Sequence, residues 1–330
     1  MQCQSLPFFV LAMAAGMFGP VHAMAETPPE MKVLDGFVGT WKVEQTSKSA
    51  DGRELTAPGF TTPPYVLGVR YLEYVPHTNP GDQESLGMFT YDAAQGKYRS
   101  WFFSSGGQHS EWSGTWDDKT RTLTRTAELP SGHVATGIST FVDDDTLDFS
   151  IVARRPDGTV VFELTSRLTR QVNAAPVVHR KSAGWVASRA ELEPLDRMAG
   201  MWSDEAVMKR AEWTPEEVRL ASESESFWTL GGTCLLQMSE EAVFLTTYSA
   251  AEKSVKMWHF NASGYIHEWT GDWDDANSLT LRSDLDGHPD VSSGLKQRFI
   301  GNDTTTLSAI ATDKAGKVYY RMEGTSKRRN

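Results

Sequence analysis

Cysteine is nearly absent from this 330-residue chain: Cys3 and Cys234 are the only two. Cys3 lies ahead of an apolar run at residues 6–19, "LPFFVLAMAAGMFG", so it is not placed to take a lipid anchor. That run is too short to cross a bilayer, where about 20 apolar residues are wanted. No Lys or Arg precedes it, yet "VHA" and "AMA" follow, small-x-small cleavage patterns ending at Ala23 and Ala25. Residues 1–25 therefore read as an export signal peptide. The expectation is a periplasmic or secreted protein with no membrane insertion once the signal is removed. Its loss leaves Cys234 alone in "GGTCLLQM", an apolar setting that suits a buried, inert thiol. Without a disulfide, an exported chain must be held by its cores.

Positive charge is the second shortage. Lys and Arg number 32 against 43 Asp and Glu, a net charge of −11 that repels phosphate backbones and anionic lipid. There is no Gly-rich phosphate loop and no basic aromatic stripe, so no nucleic-acid partner is expected. Metal-ligand spacing is missing as well. Cysteine pairs are absent and the eight His, at 22, 77, 109, 133, 179, 259, 267 and 288, show no zinc-like clustering. "GHVATG" and "SSGG" lack the strand, elbow and helix of a hydrolase nucleophile.

What the chain does have is a repeat. "LDGFVGTW" at residues 34–41 answers "LDRMAGMW" at 195–202, and "YDAAQGKYRSWFF" from Tyr91 answers "YSAAEKSVKMWHF" from Tyr248. Residues 101–118 align with 258–275 without a gap, and half the positions are identical. Two long copies mean tandem domains, not a solenoid. The expected division is 26–170 for copy one, 171–194 for a linker and 195–330 for copy two. The linker holds a basic cluster (His179, Arg180, Lys181) and one large apolar residue, Trp185, expected to dock on a barrel.

Within each copy the pattern is β. Runs such as "KYRSWFF", "TLDFSIVA" and "TVVFELTSRL" are rich in β-branched and aromatic residues, and "DAAQG", "DDKT" and "RPDG" separate them. Such spacing predicts an all-β protein of two tandem antiparallel up-and-down barrels, about nine or ten strands each. "TPEE" at residues 214–217 carries helix-start signals, but "VRLASESESFW" after it alternates, so turn then strand is expected.

The motif "EWSGTWDD" at residues 111–118, repeated as "EWTGDWDD" at 268–275, follows from this scheme. Alternation puts Trp112, Gly114 and Trp116 on one face and Glu111, Ser113 and Thr115 on the other. The glycine permits a sharp bend and the Asp residues cap the turn that follows.

Gly39-Thr40-Trp41 and Gly200-Met201-Trp202, each opening a meander, resemble the first-strand signature of the calycin superfamily of lipocalin-like barrels. The order "GTW … LGVRYL … YDAAQGKYRSW … GTWDD … DGTVVFELTSRLTR" is similar, more closely, to the bacterial domain-of-unknown-function family 1579. The resemblance implies closed barrels with an interior cavity, and no established ligand. It also implies that a basic residue of the last strand covers the Gly-x-Trp indole: Arg170 or Arg167 over Trp41, and Arg328 over Trp202. Where the family tends to carry Gly-Gly-Arg-aromatic-Leu, copy one keeps Arg70 and copy two has Thr233. An inward Arg70 would let only copy one pair with an anion.

A barrel of this width can keep a ligand-sized interior. The recurring aromatic positions are candidates for its walls: Tyr91 and Tyr248, Trp101 and Trp258, Phe103 and Phe260, Trp112 and Trp269, Trp116 and Trp273. The expected function is non-catalytic binding of a small hydrophobic or aromatic molecule, without a cofactor. Haem held by one His in a single domain stays open. One alternative is an interaction module with solidly packed barrels that acts through rim loops. Another is a barrel enzyme using a buried carboxylate, Glu111 or Glu268.

Overall fold

The computed structural model describes residues 27–68, 70–74, 76–77, 84–129, 131–171, 188–262, 264–285 and 288–329. The expected signal peptide, the basic cluster at 179–181 and Trp185 lie outside the described residues. The chain divides into two compact units, Glu26–Arg180 and one containing Lys181–Asn330.

The first unit is a twelve-stranded antiparallel sheet. Its meander runs Ser85–Asp92, Lys97–Ser104, His109–Asp117, Thr122–Glu128, Val134–Phe141, Thr146–Arg154, Val160–Arg170. The last of these returns to pair with the first long strand, Trp41–Ser49, which pairs in turn with Glu54–Thr61. Tyr71–Tyr74 pairs with Ser85–Asp92, and one residue further on Pro76–His77 pairs with Glu54–Thr61, bringing the two ends of the sheet together. The second unit is a closed ten-stranded barrel from Gly200–Met208 to Val318–Arg328. Here "TPEE" is a turn and Val218–Thr229 a strand, while Ala190–Met198 forms a 3-10 helix.

Strand pairing fixes which side chains face inward. Trp41 pairs with Arg170, Val43 with Leu168, Leu168 with Leu147 and Leu147 with Phe141. These residues form one buried cluster with Trp116, so their face is the inside of the first barrel. In the second barrel the same route runs through Trp202, Ala206, Met208, Met322, Ala309, Leu295 and Leu281. Most of these join a single buried core.

One end of each barrel is plugged in the same manner. A short helix, Lys32–Asp35, places Leu34 against Leu72, Tyr98 and Leu123. The 3-10 helix of the second unit sets Leu192, Leu195 and Met198 against Trp202, Trp228 and Phe299. Over Trp41, at 4.2 Å from its ring, sits Arg170, which donates from Nη1 to the Val38 carbonyl and from Nη2 to that of Gly36 at 2.8 Å. Arg328 lies 4.7 Å from Trp202 and donates to the carbonyls of Ala199 and Arg197. Arg167 instead pairs with Asp148 on the exposed face. Gly39 has φ +123° and Gly200 φ +132°; a side chain at either place would strike the arginine. The Gly-x-Trp signature is thus the imprint of an arginine on the barrel floor.

The glycine of "EWSGTWDD" has a different cause. A Cβ on Gly114 would collide with the Thr124 carbonyl oxygen of the next strand, and one on Gly271 with that of Thr280. Backbones approach there more closely than any side chain allows. Gly114→Ala and Gly271→Ala are therefore expected to cost at least about 3 kcal/mol each. Gly294→Ala, where the nearest atom is Ile310 Cγ2 at 3.9 Å, should stay within about 0.5 kcal/mol of wild type. Urea unfolding of the full chain checks both; equal losses at Gly114 and Gly294 would refute the close-approach account.

Candidate functional site: the barrel interiors

The register sorts the expected wall residues onto two faces. Ser100 pairs with Trp112 and Tyr98 with Gly114, so Trp112 and Trp116 point inward with Tyr91. Tyr248, Trp269 and Trp273 are inward in the second barrel. Trp101 pairs with Glu111 and Phe103 with His109, which places both on the outer face. Trp258, opposite Glu268, and Phe260 are outer-face residues as well. All four are buried there, away from the interior. Of the inward set, Tyr91 and Trp116 pack into the floor cluster, and Trp273 donates to the Glu191 carbonyl of the plugging helix at 2.8 Å. Arg70 is buried just before Tyr71–Tyr74, its carbonyl accepting from Thr90 Oγ1 at 2.8 Å.

Glu111 and Glu268 do not supply a buried carboxylate. Arg99 donates to Glu111 on the outer face, and Lys256 Nζ lies 2.8 Å from Glu268 Oε1. The turn aspartates cap: Asp117 accepts from the Lys119 N–H and the Thr120 hydroxyl, each at 2.9 Å.

The first barrel has small residues around one buried arginine. Around Arg125, the inward positions on neighbouring strands are Gly114 and Gly137, with Ala127 and Ser139 beside them. Further from the floor, apolar side chains on the inward face are accessible beside Ser47 and Ser110. Leu55 is 60% exposed and Phe102 39%, although the register points both inward; Trp112, Phe149, Ile151 and Leu164 are half-buried. Arg125 is a charged group in this interior, 7% exposed. Its Nη1 donates to Ser100 Oγ at 3.0 Å, and its guanidinium carbon stands 4.7 Å from the Phe89 ring. Nε has no acceptor, and among the described residues no carboxylate pairs with it. Burial pushes the guanidinium down to about 10, opposed by the nearby Tyr74. Tyr74 meets Phe89 edge-on at 6.3 Å and hydrogen-bonds Thr61.

The second barrel fills the same positions. In equivalent register Leu281 stands for Arg125, Leu295 for Gly137, Met208 for Ser47 and Met322 for Leu164, all buried. An arc of polar groups crosses one side. Ser224 Oγ donates to Asp204 Oδ2 at 2.7 Å and accepts from Gln237 Nε2 at 3.1 Å. Phe244 stacks on His259 at 4.4 Å, and His259 pairs across the ladder with His267. Asp204 Oδ1, Ser226 Oγ and His259 Nε2 are buried without hydrogen-bond partners.

Sequence reasoning passed over Arg125, Asp204 and the His259–His267 pair. In "TLTRTAEL", Arg125 falls in phase with Leu123 and Ala127; in "WSDEAVM", Asp204 falls in phase with Trp202 and Ala206. A charge in the inward phase of an alternating strand was the available signal. The histidine pair depends on hairpin register, which alternation alone does not give.

Burial pushes His259 down to about 3, with His267 adding to the effect, and His267 down to about 4. Burial also holds the Asp204 carboxyl above its usual range, against hydrogen bonds from Ser326, Ser224 and Ser222. Both imidazoles therefore stay neutral when folded, while the unfolded chain protonates them near pH 6.5. Their contribution is complete above that pH and is lost as pH falls toward 4; Asp204 acts in the opposite sense. His259→Phe installs the residue found at Phe102 in the first copy and leaves Asp204 in place. Between pH 6.5 and 4, the variant should lose about 3 kcal/mol less stability than wild type. Denaturant unfolding of the full chain at each pH measures this; identical slopes would contradict a buried neutral imidazole.

None of the curated proteins is detectably similar in sequence. Among solved structures, the chain is similar to a protein of unknown function from the DUF3598 family of Nostoc punctiforme PCC 73102. The two are 12% identical, with a TM-score of 0.25, covering 92% of this chain and 100% of that one. It is also similar to the S-type phycobiliprotein lyase CPES from Guillardia theta, at 10% identity and a TM-score of 0.32, over 44% of this chain and 94% of that one. A third likeness is EF1p2_mFAP2b bound to DFHBI, at 16% identity and a TM-score of 0.23, over 43% and 98%. The first barrel, residues 26–170, matches the family described as "Protein of unknown function (DUF1579)", and the second barrel repeats its pattern.

Proposed function

We propose that this is an exported, non-catalytic binding protein whose first barrel holds a small hydrophobic or aromatic molecule. The observation that carries the reading is the accessible apolar interior: Leu55 and Phe102 face inward yet stay solvent-exposed. Apolar surface gains about 25 cal/mol for each Å² removed from water, so such a lining favours an apolar occupant. Export rests on residues 6–19 and the small-residue patterns after them.

A second reading applies to the other barrel. Leu281, Leu295, Met208 and Met322 stand where the first barrel has Arg125, Gly137, Ser47 and Leu164, which favours a filled, structural or interacting unit. Glu111 and Glu268, the carboxylates singled out for the enzyme alternative, lie outside the interiors.

Native mass spectrometry of the mature chain, purified from its own export compartment, tests the proposal. An extra mass that disappears on denaturation, and is lost in a Phe102→Glu/Ile151→Glu double variant, is expected. A bare polypeptide mass, together with no uptake of the neutral apolar dye N-phenyl-1-naphthylamine, would refute it.

A further inference from the structure

Resting on that reading, we infer that the ligand of the first barrel carries a carboxylate, received near the floor by Arg125 with the hydroxyls of Tyr74 and Ser100. A buried guanidinium costs heavily unless an acceptor meets it. Elsewhere the chain meets this demand: Arg99 has Asp92 at 3.1 Å as well as Glu111, and Arg170 is held by backbone carbonyls. For Arg125 it provides one serine hydroxyl and the face of Phe89, with Nε left without an acceptor. Gly114 and Gly137 are its direct cross-strand neighbours, and the Trp112 ring lies over Gly137, so the groups around the guanidinium are apolar or backbone.

The class of anion follows from the donors. A guanidinium edge presents parallel N–H groups that match a flat carboxylate, and two hydroxyls can complete its lone pairs. Apolar walls lie between this point and the accessible end, so an amphipathic acid would enter head first and leave its apolar part against Trp112, Phe149 and Ile151. The second barrel, with Leu281 at the corresponding place, would not select for the charge.

The test uses the full mature chain and two probes, 11-(dansylamino)undecanoic acid and its methyl ester, titrated by fluorescence. Wild type should bind the acid at least about tenfold more tightly than the ester. Arg125→Leu, which installs the residue of the second barrel, should weaken the acid by about thirtyfold and leave the ester within about twofold. Tyr74→Phe should weaken the acid by a smaller factor with Arg125 intact. Equal binding of acid and ester by wild type would overturn the carboxylate inference while leaving an apolar site standing; that comparison does not depend on any variant folding. Binding of neither probe would overturn the inference together with the reading beneath it.

Discussion

An arginine laid over a tryptophan holds each barrel together at its end. Arg170 and Arg328 come from the last strand, yet their guanidinium groups donate to carbonyls of the segment before the first strand. Each therefore ties the last strand to the segment before the first and fixes the plugging helix at once. A cation over an indole is worth about 0.5–2 kcal/mol, and the hydrogen bonds to carbonyls add to it. The indole is anchored in turn: Trp41 Nε1 donates to Phe37 at 2.9 Å and Trp202 Nε1 to Met198 at 2.7 Å. Gly39 and Gly200 exist to let the arginine lie flat. Strand register, and with it the identity of every inward residue, is set from this corner.

Because the floor is common to both copies, the interiors were free to diverge. The wall aromatics of the motif persist, as do the glycines demanded by the close backbone approach. Side chains one layer above the floor do not. One barrel carries a lone guanidinium among glycines and alanines; the other carries leucines and methionines, with Asp204 and two neutral imidazoles along one side. Two such different interiors can share a wall design because inward positions alternate with outward ones, and each set packs against different neighbours.

Much of this was legible in the sequence. The repeat, the turn residues and the alternation gave the all-β class and the tandem arrangement, and the motif put Trp112 and Trp116 on one face without saying which face is inside. What the linear pattern could not separate was the recurring aromatics of a single strand. In "KYRSWFF", Trp101 and Phe103 are as apolar as Phe102, yet only Phe102 faces inward. A strand apolar on both faces has no phase to read. The interior polar groups stayed hidden for the converse reason: each is one charge within an otherwise apolar phase.

The floor also dictates how the chain must fold. Arg170 reaches back 132 residues to Val38, and Arg328 reaches back 129 to Ala199. Contacts so distant along the chain form late, because the loop between them has to be ordered first. Neither barrel can close until its final strand has been synthesised, so a ribosome-bound copy that still lacks that strand has no floor. Such a protein stays threadable for as long as it is incomplete, and its last dozen residues act as the latch.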